Sequence, residues 1–191
     1  MHRHFKLYKP YGYISQFKVD PNKKSKKRLG ELYDFPEGTM SIGRLDADSE
    51  GLLLLTTDGK VSYAVTTGGN YEKEYYVQLD GVITENDIEK LKKGVEISVH
   101  GKPYQTLPCE ARMIAEPSLP PRIKNIRGSQ HGPTSWVSIT LKEGKFRQVR
   151  KMTAKIGYPT LRLVRYRIAH YTIDGMKNGD VIELKQINKA K

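Results

Sequence analysis

Four charged residues, Arg44, Asp46, Asp48 and Glu50, stand within seven positions, directly ahead of the apolar run Leu52-Leu53-Leu54-Leu55. Carboxylates serve as nucleophiles, acids, bases or metal ligands, and an arginine nearby keeps a carboxylate ionised. The stretch Asp46-Ala-Asp48-Ser-Glu50-Gly51 opens like a calcium loop with its glycine at the sixth place. That reading ends at the twelfth place, where Thr57 stands instead of a bidentate acid and leucines fill the interval. A magnesium-dependent nuclease using Asp46, Asp48 and Glu50 needs fewer ligands and stays open as a rival.

The remaining chemistry-bearing residues narrow the field. His2, His4, His100, His131 and His170 show no ligand spacing, and no serine, cysteine or histidine lies in a nucleophile motif. No phosphate-binding glycine loop or dinucleotide fingerprint occurs, so a tightly bound nucleotide cofactor is not indicated, and outside that nuclease reading no metal is assigned. Cys109 is the single cysteine and cannot form an internal disulfide, which suits a reducing compartment. No apolar run approaches membrane-spanning length, and the start, MHRHFKLYKP, has no signal-peptide core. The expectation is a soluble, cytoplasmic protein.

The 191 residues carry a net charge of +12, and the pI is near 9.6, which favours an acidic polymer as partner. The positive charge is blocked. Lys18, Lys23, Lys24, Lys26, Lys27 and Arg28 face one acid, Asp20, and nine basic residues between Lys142 and Arg167 face Glu143 alone. A phosphate-binding surface accounts for two such blocks better than a generally solvated exterior.

The elements that must position these residues follow from pattern. Leu52 to Leu55 has the length of a strand buried on both faces, a rigid platform for the acidic loop before it. Phe5 to Tyr8 reads as a strand ended by Lys9-Pro10. The lysine-rich stretch from Asp20 to Arg28 reads as a mobile loop, with a short turn or helix near Leu29 to Tyr33. Val61, Ala64 and Val65 have helical spacing, closed by Gly68-Gly69. Lys73 to Leu79 alternates as a half-buried strand with Tyr75, Val77 and Leu79 on one face. Thr84 with Asp87 caps a helix bearing Ile88 and Leu91 and ending at Gly94. Val95 to Val99 and Gln105 to Ala115 read as strands, the latter bent at Pro108. Residues 116–134 form a long surface loop. Trp136 to Leu141 is a strand, and Gln148 to Ile156 is a helix with Val149, Met152 and Ile156 inward. Thr160 to Ile168 and Val181 to Leu184 complete the strands. Strands alternating with few short helices predict an α+β fold with a mixed sheet.

GRLDADSEGLLLLTTDG (Gly43 to Gly59), KPYG (Lys9 to Gly12), KEYYV (Lys73 to Val77) and EGKFRQVRKM (Glu143 to Met152) together resemble the RsuA-type pseudouridine synthases. PPRIKN, PTSWVSITL and GYPTLRLVRY extend the resemblance over nearly the whole chain and point to a member acting on the large ribosomal subunit. The resemblance implies one catalytic domain over 1–191, without the N-terminal S4-type RNA-binding domain that most relatives carry. It implies a two-lobed, mostly antiparallel sheet with an active cleft across it; the missing S4 domain and the absence of a heptad pattern make a monomer the default expectation. It makes Asp46 the catalytic aspartate, Tyr75 the active-site tyrosine and Arg150 the basic partner of Asp46. Arg44 would hold the substrate strand once the target base is displaced. RNA contacts are expected from Lys9, Lys145, Arg147, Lys151, Arg162 and Arg165. Two departures stand out: TTDG at Thr56 to Gly59 where relatives have TNDG or TNNG, and Lys145-Phe146 where an arginine and a small polar residue are common.

Isomerising uridine to pseudouridine breaks the bond from ribose to N1 and rejoins uracil through C5, which needs no cofactor. An ionised aspartate suits the nucleophile. Burial beside the leucines would raise its pKa, and a guanidinium nearby would lower it by about 1 to 3 units. A tyrosine offers a flat face and a hydroxyl to a flipped base. The expected partner is large-subunit ribosomal RNA, with no membrane. The rival from another class is a non-catalytic RNA-binding ribosome-assembly factor.

Overall fold

A computed structural model describes residues 2–17, 27–67, 71–126 and 131–188. Lys18, Lys23, Lys24 and Lys26 of the first basic block, with most of the loop expected from Asp20, lie outside the described residues. So does the Gly68-Gly69 pair. The fold is α+β, a mostly antiparallel sheet with three α-helices among the described residues. Among the described residues no helix is long and apolar enough to cross a membrane.

The chain divides into two compact units. Unit 1 gathers 1–71, 120–124 and 165–191; unit 2 gathers 72–119 and 125–164. Unit 1 begins with β1 (His4–Lys9), β2 (Tyr13–Ile14), β3 (Lys27–Arg28), β4 (Met40–Ile42), β5 (Glu50–Thr56) and α1 (Gly59–Thr67). Unit 2 holds β6 (Lys73–Asp80), α2 (Glu85–Lys93), β7 (Glu96–Val99), β8 (Lys102–Gln105), β9 (Glu110–Ile114), β10 (Thr134–Leu141) and α3 (Gln148–Lys155). The chain returns to unit 1 along β11 (Thr160–Ile168), followed by β12 (Tyr171–Thr172) and β13 (Val181–Leu184).

In unit 1 the strand order is β13-β1-β5, with β4 also on β5, and these ladders are antiparallel. β2 and β3 pair in parallel. All seven residues of β5 are buried, as four consecutive leucines require, for successive side chains point to opposite faces. Leu53 and Leu55 join Phe5, Leu7 and Leu29 in one core cluster, and Leu52 and Leu54 on the other face are equally buried. Phe5, Phe17, Tyr33 and Phe35 enlarge this core through edge-on and tilted ring contacts of 5.0 to 6.1 Å. Asp58 starts α1, its carboxylate accepting from the backbone N–H of Lys60 at 2.8 Å.

In unit 2, β6, β10 and β9 form an antiparallel ladder. Tyr75, Val77 and Leu79 of β6 are buried, as the alternation predicts, but Glu74 on the opposite face is buried too. Its carboxylate accepts 2.7 Å from the Ser138 hydroxyl and 3.4 Å from Arg112, partners that replace the water it loses. Thr84 caps α2 by accepting from the Asp87 N–H at 3.3 Å. The Asp87 carboxylate takes 2.6 Å from the Thr84 hydroxyl, 2.8 Å from Lys90 and 2.8 Å from the Tyr158 hydroxyl. The Lys90 bond foremost, with the two hydroxyls, holds that carboxyl well below the usual range.

Of the single bent strand expected over Gln105 to Ala115 only β9 forms, and Gln105 is the last residue of β8. The segment between them turns away to cap α2. Thr106 exchanges bonds with Val95, its N–H donating to the carbonyl at 3.1 Å and its hydroxyl accepting from the N–H at 2.9 Å; the Cys109 N–H reaches the Lys92 carbonyl at 3.0 Å. Gly94, where α2 ends, has φ 85° and ψ 153°, a region open to glycine alone, and a Cβ there would collide with the Thr106 carbonyl. Gly94→Ala should therefore lower stability by about 2 kcal/mol or more in urea melts. Gly157→Asn, at φ 93° with open space around it, should cost about 1 kcal/mol.

Candidate active site

Asp46 lies in the loop between β4 and β5, partly buried, and the backbone around it is tied on several sides. The Ser15 hydroxyl, itself buried, accepts from the Leu45 N–H and donates to the Leu45 carbonyl, both at 2.9 Å. Gly12, at φ 89°, donates its N–H to the Ala47 carbonyl at 2.7 Å, and the Ser49 N–H closes a turn on the Asp46 carbonyl at 3.1 Å. Residues on both sides of Asp46 are thus fixed by the KPYG turn and the strand after it. A carboxylate on such a loop loses little freedom when it meets a substrate. Arg44, two residues earlier, is exposed.

Beneath this loop unit 1 buries charge. Glu50 is 0 % exposed and pairs with Arg122 at 3.5 Å. Arg122 lies 4.3 Å over the Tyr11 ring, so this one side chain of the expected surface loop is drawn into unit 1, while Pro121, Ile123 and Lys124 beside it are exposed. Sequence reasoning missed this pair; the PPRIKN stretch was its only signal. Lys9 is also 0 % exposed, its ammonium donating to the carbonyls of Pro10 at 3.0 Å and Tyr13 at 2.6 Å. Burial pushes Lys9 down from 10.5 to about 7; Glu50, Asp48 and Asp46 oppose the shift, and Arg165 adds to it. Arg165 is 3 % exposed and donates to the Leu52 carbonyl at 2.7 Å, a bond to the leucine strand itself.

Unit 2 carries the other residues singled out by sequence. Tyr75 is 9 % exposed and sits opposite Ile139 across the β6–β10 ladder. Arg150 is partly buried in α3, a helix anchored by buried Val149, Met152 and Gln148 and by the contact between the Thr153 and Thr160 hydroxyls at 2.8 Å. Lys145 is exposed, and Arg147 and Lys151 are half-buried. Arg162 is buried. Of the six basic residues expected on RNA besides Arg44, Lys9, Arg162 and Arg165 are therefore interior residues, and Lys145, Arg147 and Lys151 are accessible ones. The structure gathers Asp46, Lys9 and Arg165 in unit 1 and Tyr75, Arg150, Lys145, Arg147, Lys151 and Arg162 in unit 2. Among the described residues no group of three or more His, Cys, Asp or Glu is placed to hold a metal ion.

Lys9 gives the site a signature in stability. Its folded pKa lies below its unfolded value near 10.4, so between about pH 7 and pH 10 the unfolded chain binds more protons and stability rises with pH, by up to about 1.4 kcal/mol per unit. Lys9→Met should lose that slope in urea melts across this range, whatever its absolute stability; an unchanged slope would place the charge elsewhere.

The RNA pseudouridylate synthase family matches residues 3–155. The chain is 40 % identical over 178 residues to a ribosomal large subunit pseudouridine synthase E of Vibrio parahaemolyticus, covering 93 % of this chain and 71 % of that one. A ribosomal large subunit pseudouridine synthase E of Xanthomonas axonopodis pv. citri is 38 % identical over 89 % of this chain and 87 % of its own. A solved pseudouridylate synthase superposes with a TM-score of 0.77 at 26 % identity, covering 97 % of this chain and 71 % of that chain. The human RNA pseudouridylate synthase domain containing 1 shares the fold, with a TM-score of 0.59 at 16 % identity over 97 % of this chain and 80 % of its own. With the family matched over most of its length and relatives near 40 % identity across nine-tenths of it, the chain belongs to the RNA pseudouridylate synthases, enzymes of the isomerase class.

Proposed function

We propose that the chain isomerises a specific uridine of large-subunit (23S) ribosomal RNA, with Asp46 as nucleophile and the target base flipped out of its stack. The observation that carries this reading is the tied loop: Asp46 stands between two anchors, Leu45 on the Ser15 hydroxyl and Ala47 on the Gly12 N–H. The names borne by the relatives support the choice of RNA.

In this mechanism the Asp46 carboxylate attacks the ribose carbon as the bond to N1 breaks. The uracil turns, C5 attacks the same carbon, and the carboxylate leaves. The hydrogen on C5 is lost and N1 gains one, so nothing is oxidised and the composition is unchanged. Tyr75 serves the base, as a flat surface and as a hydroxyl for the proton moving at C5. Arg150 is the basic partner of the aspartate in this reading. The base is out of reach inside a duplex, so flipping precedes chemistry, and accessible cations such as Arg44 and Lys145 steady the phosphates.

Asp46→Asn should lower the single-turnover rate by at least about 1,000-fold, with RNA affinity changed by less than about threefold. Pseudouridine-specific mapping of the RNA reads the product, and substantial residual turnover would refute the nucleophile. Tyr75→Phe keeps the ring and should lose about 100-fold or more if the hydroxyl moves a proton; an undiminished rate would leave it a stacking surface only. Arg150→Ala should lower the single-turnover rate by about 100-fold, and an unaffected rate would make that charge incidental.

A further inference from the structure

Phe146 is an apolar ring that the isomerisation does not use, and it is 56 % exposed on unit 2. It stands in the loop between β10 and α3, flanked in sequence by Lys145 and Arg147. The His100 ring lies nearly parallel to it, 20° between planes and 6.0 Å between centroids. The Lys151 ammonium is 5.1 Å from the Phe146 centroid and donates to the Ser98 carbonyl of β7 at 2.7 Å. Lys145 stands 4.7 Å over the Tyr104 ring. Aromatic faces and cations alternate here on an open surface.

The patch is preorganised. The Glu143 carboxylate accepts from the Tyr104 hydroxyl at 2.5 Å, the Leu107 N–H at 2.8 Å and the Gln148 amide at 2.7 Å, and the Gln148 side-chain oxygen accepts from the Lys145 N–H at 2.9 Å. These bonds hold the loop from below, so the ring is presented without further ordering. Two of the three left-handed non-glycine residues among those described, His100 at φ 51° and Arg147 at φ 52°, flank the ring. His100-Gly101, both at positive φ, form the tight turn between β7 and β8, a place where asparagine or glycine is the ordinary choice. Strained backbone of this kind persists where it serves a purpose.

We infer that Phe146, backed by His100, is a stacking platform for an unpaired base of the RNA, with Lys145, Arg147 and Lys151 holding the flanking phosphates. The inference rests on the RNA-modifying role proposed above and extends it to a second, non-catalytic contact. Aromatic faces alternating with cations are the means by which single strands are bound. An acidic protein would satisfy the lysines and leave the flat ring without a counterpart, whereas a nucleotide answers both.

The probe is a short single-stranded oligoribonucleotide of mixed sequence, compared with the same strand in a perfect duplex. Phe146→Ala should weaken binding of the single strand roughly 5- to 100-fold, with little effect on the duplex. No charge is lost, so the slope of log affinity against log salt should stay, whereas Lys145→Ala should reduce it by about 0.7. Phe146→Trp should retain affinity, and the introduced indole should be quenched by the single strand alone; Trp136, the single native tryptophan, is 7 % exposed. Equal affinity of Phe146→Ala and the unaltered chain for the single strand, or an equal loss for both RNAs, would overturn the platform. If the unaltered chain makes no pseudouridine yet Phe146→Ala loses single-strand affinity, the catalytic reading fails and the platform stands. If pseudouridine forms and Phe146→Ala binds and turns over unchanged, the platform alone fails.

Discussion

A strand of four leucines buried on both faces contains little information about its own register. Shifting it by one residue would exchange leucine for leucine on each face, so the usual penalty for a slip is weak in the middle of β5. The penalty sits at the ends. Glu50 can be buried only where Arg122 meets it, and Gly51, opposite Lys9, has φ 101°, a backbone that a leucine would adopt only under strain. At the far end the Thr56 hydroxyl meets the His4 ring at 2.9 Å. These polar ends fix where the strand begins, and the position of Asp46 follows from it.

The same ends explain why unit 1 keeps so many charges inside. Lys9, Glu50 and Arg165 are each nine-tenths buried or more, a costly arrangement unless every charge has partners. The partners are backbone carbonyls for Lys9 and Arg165 and a guanidinium for Glu50. Removing Arg122 would strand the Glu50 carboxylate in a medium that solvates it poorly.

Much of this was legible in the sequence where the signal is local. The leucine strand followed from its length and bounding residues, and α2 from Thr84, the Ile88–Leu91 spacing and Gly94. The segment around Pro108 was misread because its backbone is satisfied by Val95 and Lys92, residues on another element that no window over 105 to 115 contains. The burial of Glu50 has no local signal, because the arginine that permits it is remote in sequence. Arg162 and Arg165 show the general difficulty. A basic residue inside a basic stretch looks like surface, and only the three-dimensional set of acceptors around it says otherwise.

The division of the chain between units also has a bearing on how the protein is made. Unit 1 is assembled from three separate stretches, and its strand β1 has β5 on one edge and β13 on the other. During translation β5 is available early, but the second edge of β1 stays open until Val181–Leu184 has been synthesised. Unit 2, whose ladder joins β6 to β10, can close before then. An open edge on a nascent chain is a place for mispairing, and the apolar residues of β1 make it a sticky one. The charged side chain of Lys6, midway along that strand, acts against such mispairing while the chain waits for its last strand.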